Sequence, residues 1–98
     1  MAEFDVHQGA GQDYWLDCQA DIWSDLNSPL VVPLRDASQS LSTNRRLNPH
    51  LSVRGTRYEM LTHLAAAVPV TALGPVVTSL VDQEYVIGAA LDMLISGY

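Results

Sequence analysis

The sequence predicts a mainly β domain closed by one C-terminal α-helix. Two observations predict it. As far as about residue 73, apolar and polar residues alternate in short runs separated by Gly, Pro, Asn and Asp, the pattern of strands and turns. From Val76 onward strand-like alternation stops, and a helix-period apolar pattern follows close to the last residue. Ninety-eight residues fit a single domain spanning 1–98, with no internal repeat, low-complexity tract or long linker.

Taken in order, "EFDVH" (3–7) reads as a strand with Phe4 and Val6 on one face, and "GAGQD" (9–13) as a glycine turn. "YWLDCQA" (14–20) alternates again. Tyr14, Leu16, Cys18 and Ala20 share one side, Trp15, Asp17 and Gln19 the other, and Trp23 follows at a strand end. Together these suggest an antiparallel hairpin. "LVVPL" (30–34) is a wholly apolar strand in which Pro33 suggests an edge or a bulge. "DASQSLS" (36–42) suits one helical turn opened by Asp36, and "TNRRLNP" (43–49) is irregular. "HLSVRGTRYEML" (50–61) reads as a hairpin turning at Gly55, with Leu51 and Val53 sharing one face and Tyr58 and Met60 sharing a face on the return strand. "VPVTAL" (68–73) is expected to be a further strand, broken at Gly74-Pro75.

Asp82 is the expected N-cap of the final helix, with Glu84 near the positive end of its dipole. Ile87, Leu91 and Leu94 form a core stripe at spacings of four and three. Tyr85, Val86, Ala89, Ala90, Met93 and Ile95 fill much of the remaining circumference. A helix apolar nearly all round must be covered on more than one side. The sheet is one cover, and a second copy of so small a chain is the simplest other. Gly88, Ala89, Met93 and Ile95 are the residues expected at that dimer interface, Gly88 allowing close approach of another backbone.

Composition excludes several classes. Forty-eight per cent of the residues are apolar and 16% charged, too hydrophobic for a disordered chain. No signal peptide is visible, no run is long enough to span a bilayer, and one cysteine permits no internal disulfide. A reducing, cytoplasmic location without membrane contact is expected. The net charge of −6 opposes direct binding to nucleic acid. That charge is segregated. Residues 1–36 carry seven acids and one arginine; residues 37–57 carry Arg45, Arg46, Arg54 and Arg57 with no acid; residues 58–98 carry four acids and no base. The basic segment reads either as an anion-binding patch or as a solvated loop and strand face.

Catalytic chemistry is hard to find. His7, His50 and His63 lack a ligand partner at helical spacing, so neither metal nor cofactor is expected. Cys18, mid-strand on the apolar face, suits a core thiol better than a nucleophile. No phosphate-binding glycine loop is present. Arg54, Arg57, Glu59 and His50 share the second hairpin, and a metal-free ribonuclease would want such groups around one phosphate; a charged outer face is the plainer reading. Trp15 and Trp23 serve either as partner anchors or as caps on the core.

"DCQADI" (17–22), "VVPL" (31–34), "YEMLT" (58–62) and "VPVTALG" (68–74), with the final helix, occur in the order and spacing of the CcdB toxin family. The resemblance runs from Glu3 to Tyr98 and is weakest in the first hairpin loop and at 35–48. It implies a homodimer built on a twisted antiparallel sheet related to SH3-like barrels, with a C-terminal helix. It also implies the toxin of a type II toxin–antitoxin module: not an enzyme, but a poison that binds the gyrase A subunit and traps gyrase on cleaved DNA. A cognate antitoxin would neutralise it, and the complex would repress its own operon through DNA contacts made by the antitoxin. In that family a terminal Trp-Gly-Ile is critical for poisoning. The matching positions here are Ser96, Gly97 and Tyr98, so the glycine agrees and the tryptophan is replaced by serine. Antitoxin tails tend to be acidic, which makes Arg45, Arg46, Arg54 and Arg57 candidate antitoxin contacts by charge alone. Two alternatives stay open: a metal-independent messenger-RNA interferase of the same fold superfamily, and an inactive homologue that only binds antitoxin.

Overall fold

The computed structural model describes residues 2–9, 13–23, 25–41 and 43–97. Among them seven strands form one antiparallel sheet: β1 (Asp5–Gln8), β2 (Tyr14–Asp17), β3 (Leu30–Asp36), β4 (His50–Val53), β5 (Thr56–Met60), β6 (Ala66–Ala67) and β7 (Val76–Ser79). The path runs β4-β5-β3-β2-β1-β7, with β6 added to β3. The single α-helix, α1, is Glu84–Ser96. Mainly antiparallel β with a C-terminal helix is therefore the observed class.

Strand alternation sorts side chains onto two faces. One face carries Val6, Leu16, Val32, Leu34, Leu51, Val53 and Met60, which form the core with Leu80 and with Ile87 and Ala90 of α1. Each Val, Leu, Ile or Met among them taken fully out of water contributes about 1.5–3 kcal/mol. The β4–β5 hairpin turns through two residues of positive φ, Arg54 at 53° and Gly55 at 86°. Those angles match the right-handed twist of the flanking strands.

The other face is polar where β4, β5 and β3 meet. His50 stands opposite Glu59, and Glu59 opposite Arg35. Glu59 is 0% exposed. Arg35 donates to its Oε1 at 3.1 Å, Ser40 donates to Oε2, and Arg45 lies 3.6 Å from Oε2. Ser40 and Arg45 belong to the segment between β3 and β4, so one carboxylate pins that segment over the sheet. Asp36 opens the segment, accepting from the Ser38 N–H at 2.9 Å to cap the 3₁₀ turn Ala37–Gln39, as expected.

Several expectations need correction. Pro33 is not on an edge: β3 is central, paired with β2 on one side and with β6 and β5 on the other. Its carbonyl accepts from the Leu61 N–H at 3.0 Å. Its missing N–H points the same way, into the break where β3 changes partner from β6 to β5. "VPVTAL" contains a 3₁₀ turn, Val70–Ala72, rather than a strand. The strand comes afterwards, as β7, where four residues rich in β-branched side chains pair with β1 despite lacking alternation. Trp23 sits in a 3₁₀ turn, Asp21–Trp23, rather than at a strand end. Asp82 is not the helix cap. It lies within a 3₁₀ turn, Val81–Gln83, and Gln83 precedes α1 without a side-chain capping bond. Of the expected core stripe, Ile87 is buried and Leu91 half-buried, but Leu94 is 41% exposed, so the sheet's cover ends before the last turn. Residues 10–12 of the expected first turn lie outside the described residues.

Burial pushes the Glu59 carboxyl upward, but the Ser40 hydroxyl and the Arg35 and Arg45 guanidiniums outweigh it and hold it below the usual glutamate value. A carboxylate depressed in the folded state stabilises above its unfolded pKa and loses that contribution as pH falls through the folded one. Thermal stability is therefore expected to decline as pH drops below the ordinary glutamate range near 4.5. Glu59→Gln should cost about 2–4 kcal/mol near neutral pH, toward the lower end for a broken buried pair because both guanidiniums reach solvent. It should also flatten the acid limb of the melting-temperature profile, which calorimetry across pH measures.

Candidate functional site

The most exposed face of α1 leads to the chain's last described residues. Tyr85, Ala89, Asp92 and Ser96 follow one another at spacings of four, three and four, all exposed. Tyr85 is 88% exposed. Alongside lies a groove of about 480 Å³ lined by Phe4, Glu84, Tyr85, Gly88, Ala89 and Asp92. A Cβ built on Gly88 would meet nothing within 4 Å among the described residues, so none of them demands glycine there.

The helix stops at Gly97, which takes the left-handed conformation at φ 82° and donates its N–H to the Met93 carbonyl at 2.8 Å. Glycine adopts that φ without a Cβ penalty. Ser96 is thus held at the helix end and exposed, while Tyr98 lies outside the described residues. Of the residues expected at a dimer interface, Ala89 is exposed and Ile95 82% exposed, whereas Gly88 and Met93 are half-buried.

A second apolar surface is one that sequence reading did not assemble. Ile22 is 78% exposed, Trp23 53%, Leu26 50% and Val70 37%. They come from two distant segments that main-chain bonds tie together, Val70 N–H to the Asn27 carbonyl at 2.9 Å and Val68 N–H to the Pro29 carbonyl at 3.2 Å. Exposed apolar groups gathered this way mark interaction surfaces. Trp23 was a weighed anchor; its neighbours carried no local signal because only tertiary structure brings them together. Trp15, by contrast, is half-buried.

The basic segment divides. Arg45 turns toward Glu59 and belongs partly to the fold. Arg46 follows Asn44, whose side chain accepts its N–H at 3.1 Å, in an exposed turn. Arg54 projects at the hairpin tip and Arg57 from β5, both exposed. Among the described residues no ion pair reaches Arg46, Arg54 or Arg57.

The groups weighed for RNA cleavage are partly assembled, since His50 and Glu59 stand opposite each other. Glu59, however, is sealed from solvent with both oxygens engaged, which removes it as a general base. His7 and His63 lie elsewhere, His7 Nδ1 sharing a hydrogen bond with the Gly74 carbonyl at 3.0 Å and His63 Nδ1 with the Asn48 amide at 3.2 Å. Among the described residues no group of three or more His, Cys, Asp or Glu is placed to hold a metal ion. Cys18 is buried, and burial, reinforced by Asp17 and Glu3, pushes its thiol up to about 12, far from a reactive thiolate. Among the described residues no helix is long and apolar enough to cross a membrane.

The described residues offer three surfaces: a helix face ending in a glycine-capped tip, an apolar patch and a basic hairpin. No curated protein matches the chain. The family model for CcdB protein matches residues 3–97, nearly the whole sequence and both ends of the sheet-then-helix order described above. The chain belongs to the CcdB family, and that membership supports a toxin of a toxin–antitoxin system.

Proposed function

We propose that the protein is a homodimeric toxin that binds the gyrase A subunit through the C-terminal end of α1 and traps gyrase on cleaved DNA. A cognate antitoxin neutralises it by engaging the basic segment, and the toxin–antitoxin complex represses its operon through the antitoxin's own DNA contacts. The observation that carries this reading is the family match over residues 3–97 on a chain whose exposed helix face runs into Ser96 and a left-handed Gly97.

The serine at 96 gives the tip no indole. The exposed aromatic on the same helix face is Tyr85, with two carboxylates, Glu84 and Asp92, lining the groove beside it. An aromatic flanked by acids suits a basic stretch of the target, through stacking and charge pairing. We therefore assign the target surface to Tyr85 together with Ser96, Gly97 and Tyr98.

The dimer follows from apolar surface that one chain leaves uncovered. Ile22, Trp23, Leu26 and Val70 form one part of it, and Ile95 on α1 another. Burial of such groups is what obligate dimer interfaces achieve.

Expression in cells should arrest growth, and cells carrying a resistant gyrase A subunit should escape. Deleting residues 97–98 should abolish arrest while leaving the circular-dichroism spectrum unchanged; arrest by the truncated chain would refute the assignment of the tip. Tyr85→Ala should weaken binding to purified gyrase A by roughly tenfold or more, the loss expected of an aromatic anchor. Ile22→Asp should shift the sedimentation coefficient from that of a dimer to that of a monomer at micromolar concentration. A wild-type chain that sediments as a monomer throughout would remove the dimer.

A further inference from the structure

β4 ends the path of the sheet and pairs with β5 alone among the described strands. Its main-chain groups alternate in direction. The Pro49 carbonyl accepts from the Met60 N–H at 2.9 Å, toward β5. Ser52 turns both of its groups outward, its N–H donating to Gln83 Oε1 at 3.0 Å and its carbonyl accepting from Gln83 Nε2 at 2.9 Å. A carboxamide that takes one residue's N–H and C=O together reproduces the bond exchange of an antiparallel strand pair. Gln83 therefore plugs an open sheet edge, a position that otherwise recruits another chain.

Beside the plug lies a cavity of about 740 Å³, lined among others by His50, Ser52, Arg57, Gln83 and Asp36. Arg57 is exposed and makes no ion pair among the described residues. The His50 imidazole is held below its usual value first by burial and then by the guanidiniums of Arg45 and Arg57, against the pull of Glu59. Asp36 is the one acid among the lining residues, and its carboxylate is bonded to the Ser38 N–H. The other end strand, β7, belongs to residues 58–98, which contain no base, so charge separates the two edges.

We propose that the outer edge of β4 is a strand-addition site for an extended acidic peptide, which displaces the Gln83 carboxamide from Ser52, continues the sheet, and sets a carboxylate against Arg57 in the adjoining cavity. Main-chain bonds supply affinity and the arginine supplies selectivity for acid. The proposal rests on reading the basic segment as a surface for an acidic partner and names the way that partner binds.

The test uses an eight-residue peptide of alternating glutamate and valine, with the lysine–valine peptide as control, added to the full chain while the Ser52 amide resonance is followed. The acidic peptide should shift Ser52 saturably and slow its hydrogen exchange, and the lysine peptide should not. Gln83→Ala, which removes the plug, should tighten binding about threefold to tenfold, since displaced bonds of this kind are worth about one hydrogen bond net. Arg57→Ser should weaken it about tenfold. Ser52→Pro should abolish it with the fold intact, because that N–H takes no part in the ladder with β5. Equal binding of the lysine peptide, no binding of either, or affinity unchanged in both Gln83→Ala and Arg57→Ser overturns the proposal. Growth arrest is a separate readout: a chain that arrests growth yet ignores the acidic peptide loses this inference and keeps the toxin reading.

Discussion

The carboxylate of Glu59 is the buried charge on which the segment between β3 and β4 closes over the sheet. A sheet has two faces, and among the described residues one α-helix is present to cover them. Ile87 and Ala90 of that helix seal the apolar face over β1 to β5. The opposite face has no helix, and there the segment between β3 and β4 is held down by Ser40, Arg35 and Arg45 converging on one buried acid. A buried carboxylate alone would carry a heavy desolvation cost, and the surrounding guanidiniums offset it. The clasp leaves Arg57 out, and with it the positive wall beside β4. Structural cations and surface cations are thus sorted by a single residue.

Much of this was legible before the structure. The hairpin at 50–61, the Asp36-opened turn, the core alternation of Leu16 with Cys18 and of Leu51 with Val53, and the terminal helix all follow from local periodicity and turn chemistry. The misreadings share a cause. Pro33 sits mid-sheet because its missing donor faces a change of strand partner, which no local pattern reveals. Val76–Ser79 is a strand without alternation because it pairs at an edge, where a β-branched run needs no strict two-faced pattern. Asp82 has capping chemistry, yet the chain enters the helix through a 3₁₀ turn and uses Gln83 in the capping position, its side chain bonded to Ser52 instead.

The surfaces were less legible than the elements. Glycine at 97 was readable, since a helix end followed by glycine has a known backbone meaning. The cluster of Ile22, Trp23, Leu26 and Val70 was not, because two main-chain bonds between distant loops create it. The arginines were visible as a charge run, but their division into Arg45, spent on Glu59, and Arg57, left to solvent, depends on tertiary contacts that no local pattern displays.

Charge segregation along the chain becomes spatial division of labour through Gln83. The residues after it form a helix bearing acids and no base; the strand its carboxamide holds, β4, borders the exposed arginines. One side chain therefore ties the first turn of an acidic helix to the edge of a basic hairpin. Acidic and basic surfaces thus lie on different elements of the 98-residue chain, on either side of a single two-bond contact. That contact is exposed and neutral, so it contributes little to stability compared with the buried clasp around Glu59. The fold thus keeps its strong interaction where a segment is closed over the sheet and its weak one at the exposed edge of β4.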